Sequence, residues 1–86
     1  MVAIYPSSQF RRAFRKLPRN LQKKAEKKDK MFRKDPFTRG LKTHKLSGKL
    51  KSYWSYSVDE SYRVLFRFEK ENKVIYFDIG THEIYR

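Results

Sequence analysis

The 86-residue sequence lacks cysteine and holds only three glycines, three prolines and two histidines. Without cysteine there is no disulfide framework and no thiolate zinc site, and two histidines alone cannot complete a structural zinc site. No uncharged run approaches the roughly 20 apolar residues that span a membrane, and the N-terminus lacks the apolar segment of a signal peptide. We therefore expect a cytoplasmic protein that works without a metal or other cofactor.

The motifs of several common enzyme classes are also missing. The sequence contains no glycine-rich phosphate loop, no HExxH metal motif, no GxSxG elbow and no pair of carboxylates at useful spacing. These absences argue against nucleotide hydrolysis, zinc proteolysis and serine hydrolysis. Any chemistry must come from the residue types that remain, which are mainly basic and aromatic.

Positive charge dominates, and it is unevenly placed. The chain has 22 Lys and Arg against 9 Asp and Glu, a net charge of +13. Residues 9–51 hold 17 basic and 3 acidic residues, a net charge of +14, whereas residues 52–86 hold 5 and 6. Such a polycation attracts phosphate by counterion release. A nucleic acid or an acidic protein is the expected partner, and a merely solvated helical surface is the alternative.

The aromatic content, 16% of residues, allows a real core in one small domain covering residues 1–86. Apolar spacing and proline positions predict the elements in chain order: a short strand (2–5), a helix ended by Pro18, a second helix (about 19–33), a basic loop (37–51) and three strands (52–58, 62–68 and 74–79). This order predicts an α+β domain with a helical hairpin on one face of an antiparallel meander. The first strand can add to the sheet edge.

Alternation along the middle meander strand separates two sets of side chains. Tyr62, Val64, Phe66 and Phe68 form one set, which suits a core under the helices, while Arg63, Leu65 and Arg67 form the other. Arg63 and Arg67 are therefore predicted to share the opposite face. They are either a cationic platform for phosphate or two arginines paired with neighbouring carboxylates.

Three further side chains suit chemistry on RNA. The ribose 2′-hydroxyl is an internal nucleophile, so cleavage needs only a base, a cation for the phosphorane and an acid for the leaving oxygen. His44 lies in the long basic loop, and His82 follows Gly80 after the last strand, where a short turn can hold it beside the arginine face. Histidine is the side chain best suited to proton transfer near neutral pH. Tyr85 can stack on a base or hydrogen-bond a phosphate. The alternatives are two surface histidines and an aromatic ring that covers the sheet end.

Eight basic residues are predicted to bind the RNA itself. Four lie on the second helix, three in the loop and one on the meander: Lys23, Lys24, Lys27 and Lys28; Lys45, Lys49 and Lys51; and Arg67.

The order of these elements, together with four short motifs, resembles the RelE/ParE superfamily of bacterial toxin-antitoxin toxins over almost the whole chain. The motifs are HKLSG at 44–48, YWS at 53–55, DESYRVLF at 59–66 and IGTH at 79–82. The resemblance implies a RelE-like fold and a cognate antitoxin, expected to be acidic. RelE-like members cut mRNA on the ribosome, whereas ParE-like members poison DNA gyrase.

By position, the resemblance gives four residues family roles. Arg63 matches an arginine that stabilises the transition state, His82 a C-terminal histidine used in proton transfer, His44 a loop histidine of the YafQ-like subgroup, and Tyr85 a tyrosine that orients the substrate base.

The paired lysines of the RelE type are replaced here, on this correspondence, by Trp54 and Tyr56. Retention of Arg63 and His82 favours a ribosome-dependent mRNA endonuclease that uses 2′-hydroxyl attack without metal. The general base stays open. The alternative functions are a gyrase-blocking toxin and a noncatalytic RNA-binding module.

Overall fold

In a computed structural model, which describes residues 1–85, two helices cover one face of a five-stranded sheet. The elements are β1 (Ala3–Pro6), α1 (Ser8–Arg15), α2 (Arg19–Lys34), β2 (His44–Lys45), β3 (Trp54–Ser57), β4 (Arg63–Lys70) and β5 (Lys73–Gly80). Short 3₁₀ turns lie at Arg39–Leu41 and Gly48–Leu50, and a third, the C-terminal turn, at His82–Tyr85. The predicted α+β class is confirmed.

Local sequence signals set the helix ends. The Ser7 hydroxyl accepts a hydrogen bond from the Phe10 backbone N–H at 3.0 Å, which caps α1. Pro18 immediately precedes α2. The helix ends before Asp35, because a residue that precedes a proline, here Pro36, disfavours the helical conformation. Within residues 1–85, neither helix combines the length and apolar character needed to cross a bilayer.

The sheet has the strand order β1-β5-β4-β3-β2. The predicted meander is confirmed as the antiparallel strands β3, β4 and β5, and β1 joins the edge in parallel with β5. The structure adds one strand that the sequence did not predict, because β2 is only two residues long and lies inside the basic loop. The β4–β5 turn is also shorter than expected, since it consists of Glu71 and Asn72 alone.

An aromatic core lies between the helices and the sheet. The Phe32 ring of α2 lies 4.8 Å from both the Tyr56 and the Phe66 ring centroids. Val64 and Phe66 are buried on this side, which confirms the predicted alternation in β4. Leu65 is buried too, on the opposite face, where the C-terminal turn packs against β4 and β5.

A chain of hydrogen bonds crosses this core and joins the sheet to α2. The Tyr56 hydroxyl donates to the Tyr76 hydroxyl at 2.9 Å, which in turn donates to Asp29 Oδ1 at 2.7 Å. The Arg33 Nε–H donates to the other carboxylate oxygen at 2.9 Å. Burial raises the pKa of both tyrosines well above the usual value, so they remain neutral donors at physiological pH.

Candidate functional site

The sheet face turned away from the helices, here called the open face, carries the predicted chemical residues. Side chains of directly opposed residues in neighbouring strands point to the same face. Ser57 is opposite Arg63, and Arg63 is opposite Gly80. In the next row, His44 is opposite Ser55. Because Arg63 alternates with residues that point into the helical core, all of these residues lie on the open face.

Arg63 is held by a hydroxyl and not by a carboxylate. Its Nη1–H donates to Ser57 Oγ at 3.0 Å. Within residues 1–85, no ion pair joins its guanidinium to a carboxylate at 4.0 Å or less. Gly80, its neighbour on β5, has no side chain to cover it. The half-buried guanidinium is therefore not neutralised by a direct ion pair within the described residues.

A cavity of about 330 Å³ brings Arg63 and His82 together. It is lined by Glu60, Ser61, Arg63, Thr81, His82 and Glu83. The predicted approach of His82 to the arginine face is thus observed. The close packing of the C-terminal turn depends on Gly80, because a Cβ atom there would lie 2.9 Å from Ile84 Cγ2.

His44 is more rigidly placed than its position in a long loop suggested, because it lies in β2, paired with Ser55. Its Nδ1 lies 2.9 Å from the Lys42 carbonyl oxygen. A carbonyl only accepts hydrogen bonds, so Nδ1 carries the proton and the neutral ring has its lone pair on Nε2. Lys42 aims this carbonyl from a left-handed conformation with φ of 53°. His44 does not line the Arg63 cavity, from which β3 separates it.

Tyr85 bridges the two regions of the open face. Its hydroxyl lies 2.7 Å from the oxygen of Ser55, which is completely buried. The ring also lines a second cavity, of about 300 Å³, with Leu46, Ser47, Lys49 and Leu50. The C-terminal turn therefore places His82 beside Arg63 at one end and Tyr85 beside the basic loop at the other.

Trp54 and Tyr56, the positions that the resemblance matched to the paired lysines of the RelE type, do not face the site. Tyr56 is buried in the helical core, and Trp54 packs on the same side, 5.3 Å from the Phe68 ring centroid. The open-face positions of β3 are instead Ser55 and Ser57, which the sequence reasoning missed as contributors to the site. The alternation of side chains along β3 was the signal that identifies them.

The predicted platform of two arginines is not formed. Arg67 donates to Glu69 Oε2 at 3.1 Å, and its guanidinium carbon lies 5.9 Å from the Tyr53 ring centroid. It therefore takes the ion-paired alternative. Four residues of extended strand also separate it from Arg63, about 13 Å.

The seven predicted RNA-binding lysines are spread over several surfaces. Those of α2 lie on the helical side of the sheet, and Lys45 points the same way because it is opposite Trp54. In the basic loop, Lys49 lines the Tyr85 cavity and Lys51 is exposed. The structure thus separates most of the predicted RNA-binding charge from the Arg63 cavity.

One lysine of α2 reaches the turn that precedes Arg63. Lys24 Nζ lies 3.8 Å from Asp59 Oδ2. Asp59 Oδ1 accepts hydrogen bonds from the backbone N–H groups of Tyr62 at 2.7 Å and Ser61 at 2.9 Å. The Tyr62 bond is the main cause that lowers the pKa of Asp59 below its usual value, and the Ser61 bond and the Lys24 charge act in the same direction. This turn fixes where β4, and with it Arg63, begins.

Residues 19–86 match the family model described as the ParE-like toxin domain. No curated protein matches the chain.

Several solved structures share the fold. Escherichia coli YafQ is 16% identical, covers 99% of this chain and 98% of its own, and has a TM-score of 0.80. A YoeB/ParE toxin from Agrobacterium tumefaciens is 15% identical, with coverage of 95% and 99% and a TM-score of 0.77. The toxin-antitoxin complex RelBE2 from Mycobacterium tuberculosis gives 20% identity, coverage of 93% and 96%, and a TM-score of 0.78. The resemblance to the RelE/ParE superfamily is confirmed, and the chain belongs to the ParE-like toxin domain family.

Proposed function

We propose that this protein is the toxin of a toxin-antitoxin pair and that it cleaves mRNA on the translating ribosome, without metal, at the open face. The observation that carries the proposal is the cavity shared by Arg63 and His82. It combines a cation that forms no ion pair with a carboxylate within residues 1–85 with an imidazole ring, a group that can donate or accept a proton. Those are two of the three groups that RNA cleavage by the 2′-hydroxyl requires.

The proposed reaction is an in-line displacement at phosphorus. His44 Nε2 accepts the proton of the 2′-hydroxyl, and the 2′-oxygen forms a bond to phosphorus. Arg63 stabilises the charge of the phosphorane, and the bond to the 5′-oxygen breaks as that oxygen takes a proton from the His82 imidazolium. The products are a 2′,3′-cyclic phosphate and a 5′-hydroxyl, so atoms and charge balance without a cofactor.

His44 is assigned as the base because its tautomer and its place on the open face suit proton acceptance. Because β3 separates it from the Arg63 cavity, the RNA must lie across β3 for His44 and Arg63 to act on one phosphate. The Lys42 carbonyl occupies Nδ1, which leaves the Nε2 lone pair free on the same face as Arg63. His82 takes the acid role because it borders the cavity that would hold the scissile phosphate. Tyr85, anchored to Ser55 beside the basic loop, is placed to orient a base.

The partners follow from charge. A net charge of +13 favours binding to ribosomal RNA, and it equally favours binding to an acidic antitoxin that inhibits the toxin. Solved relatives of the same fold include toxin-antitoxin complexes, among them RelBE2. A short acidic protein encoded next to this one is the expected antitoxin.

The second candidate function is inhibition of DNA gyrase, which the ParE-like description of the family model favours. A gyrase inhibitor would need the basic surface and not the Arg63 cavity. The two functions therefore differ in which variants abolish growth inhibition.

The test is cleavage of a translating message, followed by primer extension and chemical analysis of the RNA ends. We expect codon-phased cuts with 2′,3′-cyclic phosphates. Arg63→Ala should slow cleavage about 10²- to 10³-fold, as loss of one oxyanion-type contact does. His82→Gln should slow it about 10²- to 10⁴-fold, the range for a lost proton transfer. Arg12→Ala, an exposed arginine on α1, is the matched control and should cut normally.

Uncut message combined with inhibited gyrase would replace the proposal with the second candidate. Ribosome binding without cuts would leave a noncatalytic RNA-binding module. Normal cutting by Arg63→Ala would remove the arginine from the mechanism.

A further inference from the structure

Ser57 is a buried polar residue whose hydroxyl is directed at Arg63. It is the last residue of β3, and its relative exposure is only 8%. Its directly opposed residue in β4 is Arg63, whose Nη1–H donates to Ser57 Oγ at 3.0 Å. Because a buried hydroxyl without a partner is costly, this hydrogen bond accounts for the presence of a polar side chain at that position.

The neutral character of this partner sets Arg63 apart from two other arginines. Arg33 donates to the Asp29 carboxylate at 2.9 Å, and Arg67 to the Glu69 carboxylate at 3.1 Å. In both pairs the carboxylate compensates the charge of the guanidinium. A serine oxygen fixes one edge of the guanidinium but leaves the net charge intact, and four of its five N–H donors are left for other acceptors.

Both ends of the Ser57–Arg63 hydrogen bond rest on rigid backbone. The two strands are paired from Trp54 opposite Phe66 through to Ser57 opposite Arg63. Beyond them, the Val58 N–H donates to the Tyr62 carbonyl at 2.8 Å, which closes the hairpin. A side chain held on paired strands keeps its geometry better than one held on a loop.

We propose that Ser57 is a positioning residue that holds the Arg63 guanidinium over the cavity shared with His82. This inference rests on the proposed RNA cleavage for its kinetic consequence, although the anchoring itself does not depend on the reaction. Without the serine hydroxyl, the flexible arginine side chain, with three methylene groups between Cα and Nε, samples other orientations, and its charge no longer lies where the phosphorane forms. The rate of the chemical step falls, while the affinity for the ribosome does not change.

The first test uses single-turnover cleavage by the full chain on programmed ribosomes. Ser57→Ala should be about 10- to 100-fold slower, the size of effect expected for a misplaced catalytic group, at an unchanged half-saturating ribosome concentration. Ser57→Thr keeps the hydroxyl and suits a strand, so it should recover most of the rate. Ser52→Ala, at an exposed position outside β3, is the matched control and should cleave normally.

A double-mutant cycle separates positioning from a general structural role. If Ser57 acts through Arg63, then Ser57→Ala should add nothing to the defect of Arg63→Ala. Additive defects, or a Ser57→Ala variant that cleaves at the wild-type rate, would overturn the inference. A threonine variant as slow as the alanine variant would also overturn it, since the hydroxyl would then be irrelevant.

A second readout does not need cleavage. In ¹H–¹⁵N spectra of the isolated protein, a guanidinium anchored at Nη1 should show slowed rotation and resolved Nη signals for Arg63. Those signals should average together in Ser57→Ala and return in Ser57→Thr. If wild-type protein cuts no RNA, the proposed function fails but these spectra still decide the anchoring. Averaged Arg63 signals in the wild type would refute it.

Discussion

Replacing Tyr76 by phenylalanine should destabilise the fold through one missing oxygen atom. The Tyr76 hydroxyl accepts from the Tyr56 hydroxyl at 2.9 Å and donates to Asp29 Oδ1 at 2.7 Å. Phenylalanine keeps the aromatic contacts of the ring, including the one to Phe32 at 5.8 Å between centroids. The change therefore isolates the hydrogen-bond chain between the sheet and α2.

The expected cost follows from what is left without a partner. The Tyr56 hydroxyl, in a residue only 1% exposed, loses its acceptor, while Asp29 keeps its bond from Arg33. One unsatisfied buried group costs about 1–3 kcal/mol. Each kcal/mol lowers the melting temperature of a domain of this size by about 4–8 °C.

The measurement is equilibrium unfolding in urea at pH 7, read by circular dichroism. We expect a lower midpoint at an unchanged m-value, because the surface exposed on unfolding hardly differs. Tyr5→Phe is the matched control, since Tyr5 is 51% exposed, and it should leave the midpoint in place. Adding Tyr56→Phe to the Tyr76 variant should cost little more, because the orphaned hydroxyl is then gone.

Two results would refute this reasoning. A Tyr76→Phe midpoint equal to that of wild type would mean that the hydrogen-bond chain contributes no net stability. Fully additive costs of the two substitutions would mean that the hydroxyls do not act as one chain.

Three further predictions concern pH, the C-terminal turn and salt. Burial raises the pKa of Tyr56 and Tyr76, so above pH 10 the unfolded chain has released protons that the folded chain still binds. The free energy of unfolding should therefore fall as pH rises, by up to about 1.4 kcal/mol per pH unit for each tyrosine, and Tyr76→Phe should reduce that slope. Gly80→Ala forces a Cβ to within 2.9 Å of Ile84 Cγ2, so the C-terminal turn should shift and cleavage should slow while circular dichroism is unchanged; normal cleavage would show that the turn tolerates the shift. Ribosome binding should weaken steeply with salt, and salt-independent binding would contradict the electrostatic account. Substitution of four lysines of α2 by glutamate should lower the affinity and the salt slope more than the rate of cleavage; these are Lys23, Lys24, Lys27 and Lys28.

Local chemistry made the helices and the central strands predictable. Pro18 and the Asp35-Pro36 pair bracket α2, and Ser7 caps α1, so the sequence carries both boundaries explicitly. The alternation of β4 likewise separated Arg63 from the core residues. The position of His82 close to Arg63 was also predictable. In an antiparallel hairpin the end of β5 lies opposite the start of β4, so residues that follow β5 lie near Arg63.

The remaining features depend on contacts that sequence spacing does not encode. β2 forms by pairing with the edge of β3, and a strand of only two residues is too short to show an alternating pattern in the sequence. Trp54 and Ser57 point to opposite faces of the sheet, and which face each takes depends on the register of β3. A register predicted wrongly by one residue exchanges the two faces. The hydrogen bond from Tyr76 to Asp29 joins residues 47 positions apart, so no local sequence pattern predicts it.

The position of β5 in the sheet has a consequence for the order in which the parts of the fold can form. β5 lies between β1 and β4, and Ala3 pairs with Lys73 across 70 residues, so β1 can join the sheet only after β5 has been synthesised. Until then β1 has no strand to join, and His82 and Tyr85 leave the ribosome later still. A nascent chain that has not yet reached β5 contains Arg63 but neither the strand that pairs with β4 nor His82 beside the arginine. The Arg63 cavity therefore forms only after β5 and the C-terminal turn have been synthesised, although Arg63 itself lies earlier in the chain.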